Sequence, residues 1–279
     1  MLLALGLASG CASQQVAEPR SDFIGHQGSV SSAIEAPAPG WISDRASGCR
    51  VWNTSPLANE TITWSGNCRN GAADGRGVLE WFKDGLPNQR YDGEYRDGRM
   101  NGRGAYSWAN GDRYDGQYRD DRRNGRGVLS FANGDRYDGE YRDDSRNGRG
   151  VFLLANGERY DGEFRDGLFN GRGIYIFATG DNYDGEFRDN RNDGHGVLTF
   201  ANGNRYAGDF RDGMFNGRGV FTFADGSRYD GEFRDGEPNG TGTYWTGGEV
   251  YTGAWTNGCF RQGNRWAGIG TRANDCAGK

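Results

Sequence analysis

A segment of 23 residues recurs seven times in this chain, and this repetition constrains the fold more than any other feature of the sequence. The segment that begins at Tyr91 reads Tyr-Asp-Gly-Glu-Tyr-Arg-Asp-Gly and continues through a glycine-rich stretch to Arg113. The same pattern restarts at 114, 137, 160, 183, 206 and 229. A fixed period between about twenty and fifty residues is typical of repeat proteins, in which each repeat packs on its neighbours.

Each repeat predicts two short strands. Residues 91–96 alternate Tyr and Gly with charged residues, and residues 104–108 alternate Gly, Tyr and Trp with small residues. Alternation with a period of two is typical of strands that are buried on one face. The frequent glycines disfavour a helix, because each costs about 1 kcal/mol in a helix interior. We therefore expect the aromatic residues on one face of a sheet and the charged residues on the other.

Glycines mark the turns and one special strand position. Asn-Gly pairs favour tight turns between antiparallel strands, so we expect turns at Asn110-Gly111 and at Asn101-Gly102. A glycine inside a strand weakens it unless another group comes close. We expect an aromatic ring from the neighbouring strand to lie on the bare backbone of Gly93 and of its equivalents.

The pattern resembles the MORN repeat, whose units read Tyr-x-Gly-x-Tyr or Trp, then Gly-x-Gly and a hydrophobic pair. The resemblance covers residues 91–250 with seven units. It implies an all-β fold, an elongated, twisted, single-layer antiparallel sheet built as a β-hairpin solenoid with a groove. It also implies a role in scaffolding, self-association or, in some members, contact with phospholipid.

Residues 1–10 are apolar and end in small residues directly before Cys11. The stretch is too short to span a bilayer as a helix and is typical of a secretory signal. It resembles the bacterial lipoprotein signal peptide, which implies lipidation of Cys11; an ordinary signal peptide cut nearby is the alternative. Ala12 in place of aspartate implies, by the same resemblance, anchoring in the outer membrane of the cell envelope, facing the periplasm. Residues 11–47 are rich in Ala, Ser, Gln and Pro and predict a flexible, disordered tether.

Atypical segments flank the seven repeats. Residues 48–90 are interpreted as a degenerate first repeat, because Trp64 coincides with Tyr91 after a shift of 27 residues. Residues 251–279 begin as a partial repeat and are interpreted as a C-terminal cap. Such ends suit a repeat array, because its terminal strands otherwise present unpaired edges.

Four cysteines lie in these two end segments. Cys49 and Cys68 bracket the first strand of the degenerate repeat, and Cys259 and Cys276 flank the cap. Four cysteines can pair in three ways, and proximity in the sequence favours Cys49 with Cys68 and Cys259 with Cys276. Disulfides of this kind form in oxidising compartments. A metal site is the weaker alternative, because no further cysteine or histidine lies at ligand spacing.

The charged residues favour a non-enzymatic function. Asp92 and Glu94 form a carboxylate pair, but each repeat carries equivalents beside an arginine such as Arg96, which favours solvent-exposed ion pairs over a catalytic site. The two histidines, His26 and His195, have no catalytic partner pattern, and the nonapeptide calcium signature is absent. A net charge of −5 with interleaved signs argues against nucleic acid binding. We expect no metal and no small-molecule cofactor.

The aromatic face is the candidate binding surface. It comprises Tyr91, Tyr95, Tyr106, Trp108, Tyr114, Tyr118, Tyr137, Tyr141, Tyr160, Phe164, Tyr183, Phe187, Tyr206, Phe210, Tyr229 and Phe233. Most of these rings are expected to stack as core, and those left open would form a groove for a peptide, a glycan or a second copy. The sequence thus predicts a scaffold that binds a protein partner or forms a homodimer through its last repeats. Membrane-surface binding is the alternative, although the acidic balance disfavours attraction to anionic lipid.

Overall fold

The computed structural model describes residues 38–270 and Cys276, and these residues form β-strands and no α-helix. The predicted signal peptide, Cys11 and most of the predicted tether lie outside the described residues. The described chain divides into two units, which we call the N-terminal unit (residues 38–155 with 165–167) and the C-terminal unit (156–164 and 168–270, with Cys276). The predicted all-β class is confirmed.

In the N-terminal unit, successive strands pair antiparallel from β5 to β11. The strands are β1 (Gly40–Ser43), β2 (Arg50–Asn53), β3 (Glu60–Trp64), β4 (Asn67–Arg69), β5 (Ala72–Lys83), β6 (Leu86–Arg96), β7 (Arg99–Ser107), β8 (Arg113–Arg119), β9 (Arg122–Ser130), β10 (Arg136–Arg142) and β11 (Ser145–Leu153). The first four strands depart from this order, because β3 and β4 both pair with β5 while β1 pairs with β2.

In the C-terminal unit, successive strands pair antiparallel from β13 to β22. The strands are β12 (Arg159–Arg165, whose last residue falls in the N-terminal unit), β13 (Leu168–Ile176), β14 (Asn182–Arg188), β15 (Arg191–Thr199), β16 (Arg205–Arg211), β17 (Met214–Thr222), β18 (Arg228–Arg234), β19 (Glu237–Thr246), β20 (Glu249–Thr256), β21 (Cys259–Gln262) and β22 (Arg265–Gly268).

One of the two expected turns is confirmed and the other is wrong. At Asn110-Gly111, the amide of Trp108 donates to the carbonyl of Asp112 at 3.0 Å and closes a turn. The second turn lies instead at Asp97-Gly98, whose φ angles are 50° and 77°. Two consecutive left-handed residues form the tight turn that matches the twist of a hairpin. Asn101-Gly102, where this turn was expected, lies inside β7.

Gly102 serves a β-bulge rather than a turn. The register of β6 and β7 shifts between Gly93, which pairs with Gly104, and Tyr95, which pairs with Met100, so the single residue Glu94 faces residues 101–103 and the additional residues lie on β7. The side chain of Glu94 folds across Gly102, where a Cβ would come within 2.5 Å of the Oε2 atom. Its Oε1 atom accepts a hydrogen bond from the amide of Arg103 at 3.4 Å. The positive φ of 93° at Gly102 completes the bulge.

A tyrosine ring covers the strand glycines and leaves no room for a side chain there. A Cβ at Gly93 would lie 2.5 Å from Cζ of Tyr91, and a Cβ at Gly104 would lie 2.3 Å from the same atom. The ring over Gly93 comes from its own strand, so the expectation of a ring from the neighbouring strand is wrong there. The same ring also covers Gly104 on the neighbouring strand. The Tyr91 hydroxyl donates to the bulge carbonyl of Glu94 at 3.1 Å, which explains why this position is tyrosine and not phenylalanine in all seven repeats.

Edge-to-face contacts connect the covered glycine rows into a core. The ring centroid of Tyr91 lies 5.4 Å from that of Tyr95 and 5.3 Å from that of Tyr118 in the next repeat, with interplanar angles of 86° and 87°. In the C-terminal unit, Tyr183 makes the same two contacts with Phe187 and Phe210, both at 5.0 Å. Aromatic pairs favour this T-shaped geometry.

Both predicted disulfide bonds are present. Cys49 pairs with Cys68 across the start of the N-terminal unit, and Cys259 pairs with Cys276 at the end of the C-terminal unit. Trp64 covers Gly66 and Gly77 as Tyr91 covers its two glycines, so the first segment packs in the manner of a repeat.

Candidate functional site

The predicted groove residues are mostly core, and each unit can be described separately. In the N-terminal unit, the predicted groove residues that are buried are Tyr91, Tyr95, Tyr106, Tyr114, Tyr118, Tyr137 and Tyr141. In the C-terminal unit, they are Tyr160, Phe164, Tyr183, Phe187, Tyr206, Phe210, Tyr229 and Phe233. Trp108 is half-buried. Ring-to-ring packing covers most of the aromatic face, so an open groove along the rings of either unit is not what the structure contains.

One exception is a pocket of about 120 Å³ in the N-terminal unit, which we call the aromatic pocket. Its apolar lining consists of Trp52, Trp81, Tyr95, Met100, Tyr106, Trp108 and Tyr118. Its polar lining consists of Asn53, Thr54, Ser55, Glu60, Gln89, Asp121, Arg123 and Asp144. Four predicted groove residues, at 95, 106, 108 and 118, thus meet in one place with polar groups that the sequence had not associated with them.

Strand geometry positions the aromatic wall. Trp81 on β5, Tyr106 on β7 and Trp108 directly after β7 form a row, with centroid distances of 5.5 Å between the first two and 4.6 Å between the last two. Trp81 and Trp108 occupy equivalent positions in successive repeats, where the next two repeats carry Phe131 and Leu154. The tryptophans of this row are therefore confined to the aromatic pocket.

A loop after β2 forms the rim of the pocket. Trp52 lies near the end of β2 and lines the pocket. The side-chain amide of Asn53 donates to the Oε2 atom of Glu60 at 2.5 Å. The amide of Leu57 donates to the same oxygen at 3.3 Å. Burial raises the pKa of Glu60 above its usual value, although these two donors act to lower it. Glu60 thus holds the loop closed and also lines the pocket.

Two aspartates stand where other repeats have glycine. Asp121 and Asp144 both have φ angles of 69°, and the equivalent residue in the preceding repeat is Gly98. Asp121 accepts hydrogen bonds from the amide of Met100 at 2.7 Å and from Nη1 of Arg99 at 2.9 Å. Its side chain is only 5 % exposed, and burial raises its pKa to about 6 despite these donors. Aspartate tolerates the left-handed region better than most residues, and its presence there is a feature to explain.

Buried cations already lie on ring faces in this unit. The guanidinium of Arg123 lies 4.9 Å from the centroid of Tyr141 and 5.8 Å from that of Tyr114. Its Nε atom lies 3.2 Å from Oδ1 of Asp144. One repeat further on, Arg146 lies 5.7 Å from the centroid of Tyr137. The two arginines are 2 % and 1 % exposed.

Two hydroxyl groups complete the pocket. The hydroxyl of Tyr106 donates to the side-chain carbonyl of Gln89. The hydroxyl of Tyr118 is buried and has no hydrogen-bond partner among the described residues. A buried polar atom without a partner costs about 1–3 kcal/mol, so such groups mark places where a ligand or water completes the bonding.

The residues that the structure describes contain no group of three or more His, Cys, Asp or Glu side chains that could hold a metal ion. His195 in the C-terminal unit lies 3.2 Å from Asp209, but both side chains are largely exposed. No helix within residues 38–270 is long and apolar enough to cross a membrane.

Some of the pocket residues that the sequence analysis missed had no signal in the sequence, whereas others had one. Trp52 and Glu60 lie in the irregular first segment, where no repeat aligns them, and nothing in the pattern could locate them. Trp81, by contrast, falls on Trp108 after the shift of 27 residues. Asp121 and Asp144 replace glycine in an otherwise regular turn, and that break in the pattern was visible.

Comparisons with known proteins agree with the repeat pattern. The profile of the MORN repeat matches residues 64–87, 91–113, 114–136, 137–159, 160–182, 183–205, 206–228 and 229–250. A comparison with curated proteins found no match.

Among solved structures, the chain is similar to the TCP domain of SAS-4 from Drosophila melanogaster, which was solved in complex with a proline-rich motif of Ana2. The identity is 15 %, the TM-score is 0.35, and the match covers 54 % of this chain and 84 % of that chain. It is also similar to the TCP10 domain of CPAP from Danio rerio, with 15 % identity, a TM-score of 0.37 and coverage of 67 % and 85 %. Because the repeat profile matches well over half of its residues, the chain belongs to the MORN repeat family.

Proposed function

We propose that this chain is a non-enzymatic scaffold that binds a protein partner at the aromatic pocket and is held at the bacterial envelope by lipid on Cys11. MORN repeats are interaction modules that contact proteins or membranes. The observation that carries the choice of site is the pocket itself, where aromatic rings and polar side chains of the N-terminal unit line one cavity. Concave sites with an aromatic lining and a few polar groups are where ligands bind.

The charged face of the sheet is a weaker candidate for specific contact. Its ion pairs join exposed side chains, such as Arg103 and Asp115 at 3.6 Å, with 78 % and 64 % of each side chain accessible. Exposed pairs of this kind contribute about 0–1 kcal/mol. They also recur from repeat to repeat, so they offer a partner many equivalent registers and no single one.

The proposal of a non-enzymatic role rests on the same repetition. Each carboxylate of the charged face has equivalents in the neighbouring repeats, and a catalytic pair needs one environment that differs from the rest. The polar groups of the aromatic pocket include no nucleophile with an adjacent base. Its chemistry is that of recognition.

The proposal of an exported, lipid-anchored protein rests on cysteine chemistry. Two disulfides lie within the described residues, and disulfides persist in oxidising compartments such as the periplasm. Cys11 lies outside the described residues, and its role is inferred from the apolar stretch before it. Lipid on that residue would leave the aromatic pocket free for a partner.

Photo-crosslinking in intact cells tests this function. A photoreactive amino acid would replace Ser55 on the pocket rim of the full-length chain and, as the matched control, Arg103 on the charged face of the same unit. We expect a discrete protein adduct from position 55 that is absent from position 103. The adduct should weaken in Trp108→Leu, because the equivalent Leu154 shows that the repeat accepts leucine there, and should persist in Phe131→Leu.

Two results would contradict the proposal. Equal adducts from both positions would mean that the aromatic pocket is not the contact site. Adducts to phospholipid alone would instead support the membrane-surface alternative.

A further inference from the structure

The aromatic pocket lies at a position where two other repeats of the N-terminal unit hold an arginine side chain. Arg123 and Arg146 stand at equivalent positions of successive repeats, and the residue at that position in the preceding repeat is Met100. Met100 lines the pocket. Within the N-terminal unit, the slot that two repeats fill with a guanidinium is therefore without a positive charge in the repeat of Met100, where the cavity opens. The repeats of the C-terminal unit carry Phe169, Asn192, Phe215 and Pro238 at this position.

The partners of that cation are nevertheless in place. Arg123 contacts the ring of Tyr141 and the carboxylate of Asp144. The equivalents of these two residues one repeat earlier are Tyr118 and Asp121, and both line the aromatic pocket. The ring and the carboxylate are present, and the group that lies between them in the next repeat is absent.

The aromatic wall is of the kind that attracts cations. Trp52, Trp81 and Trp108 all line the pocket. The negative face of the indole ring makes tryptophan the strongest of the aromatic partners for a cation, and sites that bind quaternary ammonium groups are built from such rings. Arg99, whose guanidinium lies 4.9 Å from the centroid of Trp52, already makes this contact at the pocket rim.

The charges of the lining favour a positive ligand. Three carboxylates line the pocket, and the basic group among the lining residues, Arg123, is held by Asp144 through its Nε atom at 3.2 Å. Arg99 balances Asp121 at 2.9 Å. Glu60 accepts hydrogen bonds from Asn53 and Leu57 and has no ion pair among the described residues. The carboxylate of Glu60 is therefore a negative charge in the lining that no cationic side chain of the described residues balances.

The unpaired hydroxyl of Tyr118 is an independent sign of a ligand. Only 6 % of Tyr118 is exposed, and its hydroxyl oxygen has no hydrogen-bond partner within the described part of the chain. Tyr118 is the ring on which a cation at the Met100 position would lie by equivalence with Arg123 and Tyr141. A lysine ammonium carries N–H donors that this oxygen can accept, whereas a quaternary ammonium such as that of choline carries none.

We propose that the aromatic pocket binds an alkylammonium group, which takes the place that the guanidinium groups of Arg123 and Arg146 fill in the next two repeats. The group belongs to a lysine side chain of the protein partner, whose ammonium carries N–H donors. A choline-type headgroup, whose quaternary ammonium carries none, is the other outcome of the test. This proposal rests on the proposed function for its choice of site and adds the chemistry of the ligand.

Binding of small probes to the purified full-length protein tests the proposal directly. The probes are N-acetyl-lysine methylamide, choline and 3,3-dimethylbutan-1-ol, the last being the uncharged isostere of choline. Quenching of tryptophan fluorescence and isothermal titration calorimetry report the affinity. We expect saturable binding of the lysine derivative, with the neutral isostere weaker by about tenfold or more. Equal affinity for the neutral isostere would overturn the proposal, because the pocket would then select shape and not charge.

The decisive variant is Met100→Arg. Because two repeats of this unit already hold arginine at this position, the variant is expected to fold and to fill the slot with its own guanidinium. It should abolish binding of the lysine derivative. The matched control Met214→Arg makes the same change in the C-terminal unit, at a position where other repeats carry Arg122 and Arg191, and should bind the derivative as the wild type does. Unchanged binding by a folded Met100→Arg protein, verified by circular dichroism, would overturn the proposal.

The source of the cation is separated by the probes themselves. Preference for the lysine derivative supports the proposal. Preference for choline together with flotation on phosphatidylcholine vesicles would overturn it in favour of a lipid headgroup. The failure of this proposal differs from that of the proposed function. Adducts from position 55 without any binding of cations would overturn only the proposed ammonium ligand. Binding of cations without protein adducts would overturn only the proposed protein partner.

Discussion

At the scale of the residue, the fold depends on pairs of glycines that a single tyrosine covers. The ring of Tyr91 lies across Gly93 and Gly104, which face each other on adjacent strands. The ring fits only because neither residue has a side chain. The tyrosine hydroxyl then reaches the carbonyl of the bulge, so three separate features of the repeat are satisfied by one side chain.

Gly93→Ala should therefore be more damaging than glycine substitutions that affect only the backbone conformation. The new Cβ would lie 2.5 Å from Cζ of Tyr91 and 2.6 Å from the Cα atom of Gly104, and the latter cannot move aside. We expect a loss of about 2–3 kcal/mol in the free energy of unfolding, as for overpacked cores. The control is Gly85→Ala, whose φ is 78° with no atom near the added Cβ, and which should cost about 1 kcal/mol. Urea denaturation measures both, and equal losses would contradict the covering role of the ring.

Asp121 predicts a dependence of stability on pH. Its pKa is raised from 3.8 to about 6 by burial, so the folded state binds the proton more tightly than the unfolded state does. Its stabilising contribution is then fully present below pH 3.8 and is lost as the pH rises through about 6. The loss amounts to at most about 3 kcal/mol, at about 1.4 kcal/mol per pKa unit.

Asp121→Asn isolates this effect. The equivalent residue three repeats later is Asn190, whose side-chain oxygen accepts the amide of Phe169 at 2.8 Å, so asparagine suits the position. Between about pH 4 and pH 7.5, wild type should lose stability relative to the variant in thermal or urea unfolding. A constant difference across this range would show that Asp121 does not titrate there.

At the scale of the element, a single row of residues sets how each hairpin packs. In the C-terminal unit, Phe169 and Phe215 stack face to face on Tyr160 and Tyr206, with centroid distances of 3.8 Å and interplanar angles of 16° and 14°. The N-terminal unit uses guanidinium groups in the same row. Between the two phenylalanines stands Asn192, which is buried and whose side-chain oxygen has no hydrogen-bond partner among the described residues.

Asn192→Phe should stabilise the protein. The substitution removes a buried polar group without a partner and places a ring where equivalent repeats stack one on a tyrosine, here Tyr183. Leu198 stands where those repeats have Tyr175 and Phe221, which leaves room for the ring. We expect a gain of roughly 1–3 kcal/mol in the free energy of unfolding, measured by urea denaturation. Asn192→Asp is the opposing control, because a buried charge should destabilise, and a destabilised phenylalanine variant would show that the site cannot accept the ring.

The strands were predictable from the alternation within each repeat, whereas one turn and the direction of one ring were not. Alternation located both strands of each hairpin, and the Asn110-Gly111 turn followed from its dipeptide. The Asn101-Gly102 turn was wrong because the same dipeptide also serves a bulge, and only the register of β6 and β7 distinguishes the two uses. The ring over Gly93 was assigned to the wrong strand for a similar reason, since spacing along a strand does not give the direction in which a ring leans.

At the scale of the whole molecule, the family and the all-β class could be predicted from the repeat alone, whereas the candidate site could not. The aromatic residues were identified correctly as one face, but burial depends on how closely neighbouring rings pack, and the sequence does not specify that. The aromatic pocket forms where the irregular segment around Trp52 and Glu60 meets the first regular repeats. A site that arises from the junction of repeating and non-repeating chain has no pattern of its own.

The last prediction concerns how the whole chain is held in the cell. If Cys11 carries lipid, acyl chains contribute about 0.8 kcal/mol per buried CH₂ group, which suffices to keep the protein on a membrane without help from the repeats. Cys11→Ser in the full-length protein should therefore move it from the membrane fraction to the soluble periplasmic fraction and abolish incorporation of radiolabelled palmitate. The disulfide between Cys49 and Cys68 should still form, because it requires only export.

The outcome distinguishes the three accounts of anchoring. A variant that stays with the membrane would mean that the repeats themselves bind the bilayer, in favour of the membrane-surface alternative. A wild-type protein that is exported without palmitate would mean that the apolar start is an ordinary signal peptide. Because neither result changes the aromatic pocket, the position of the protein in the cell and the chemistry of its ligand can be decided independently.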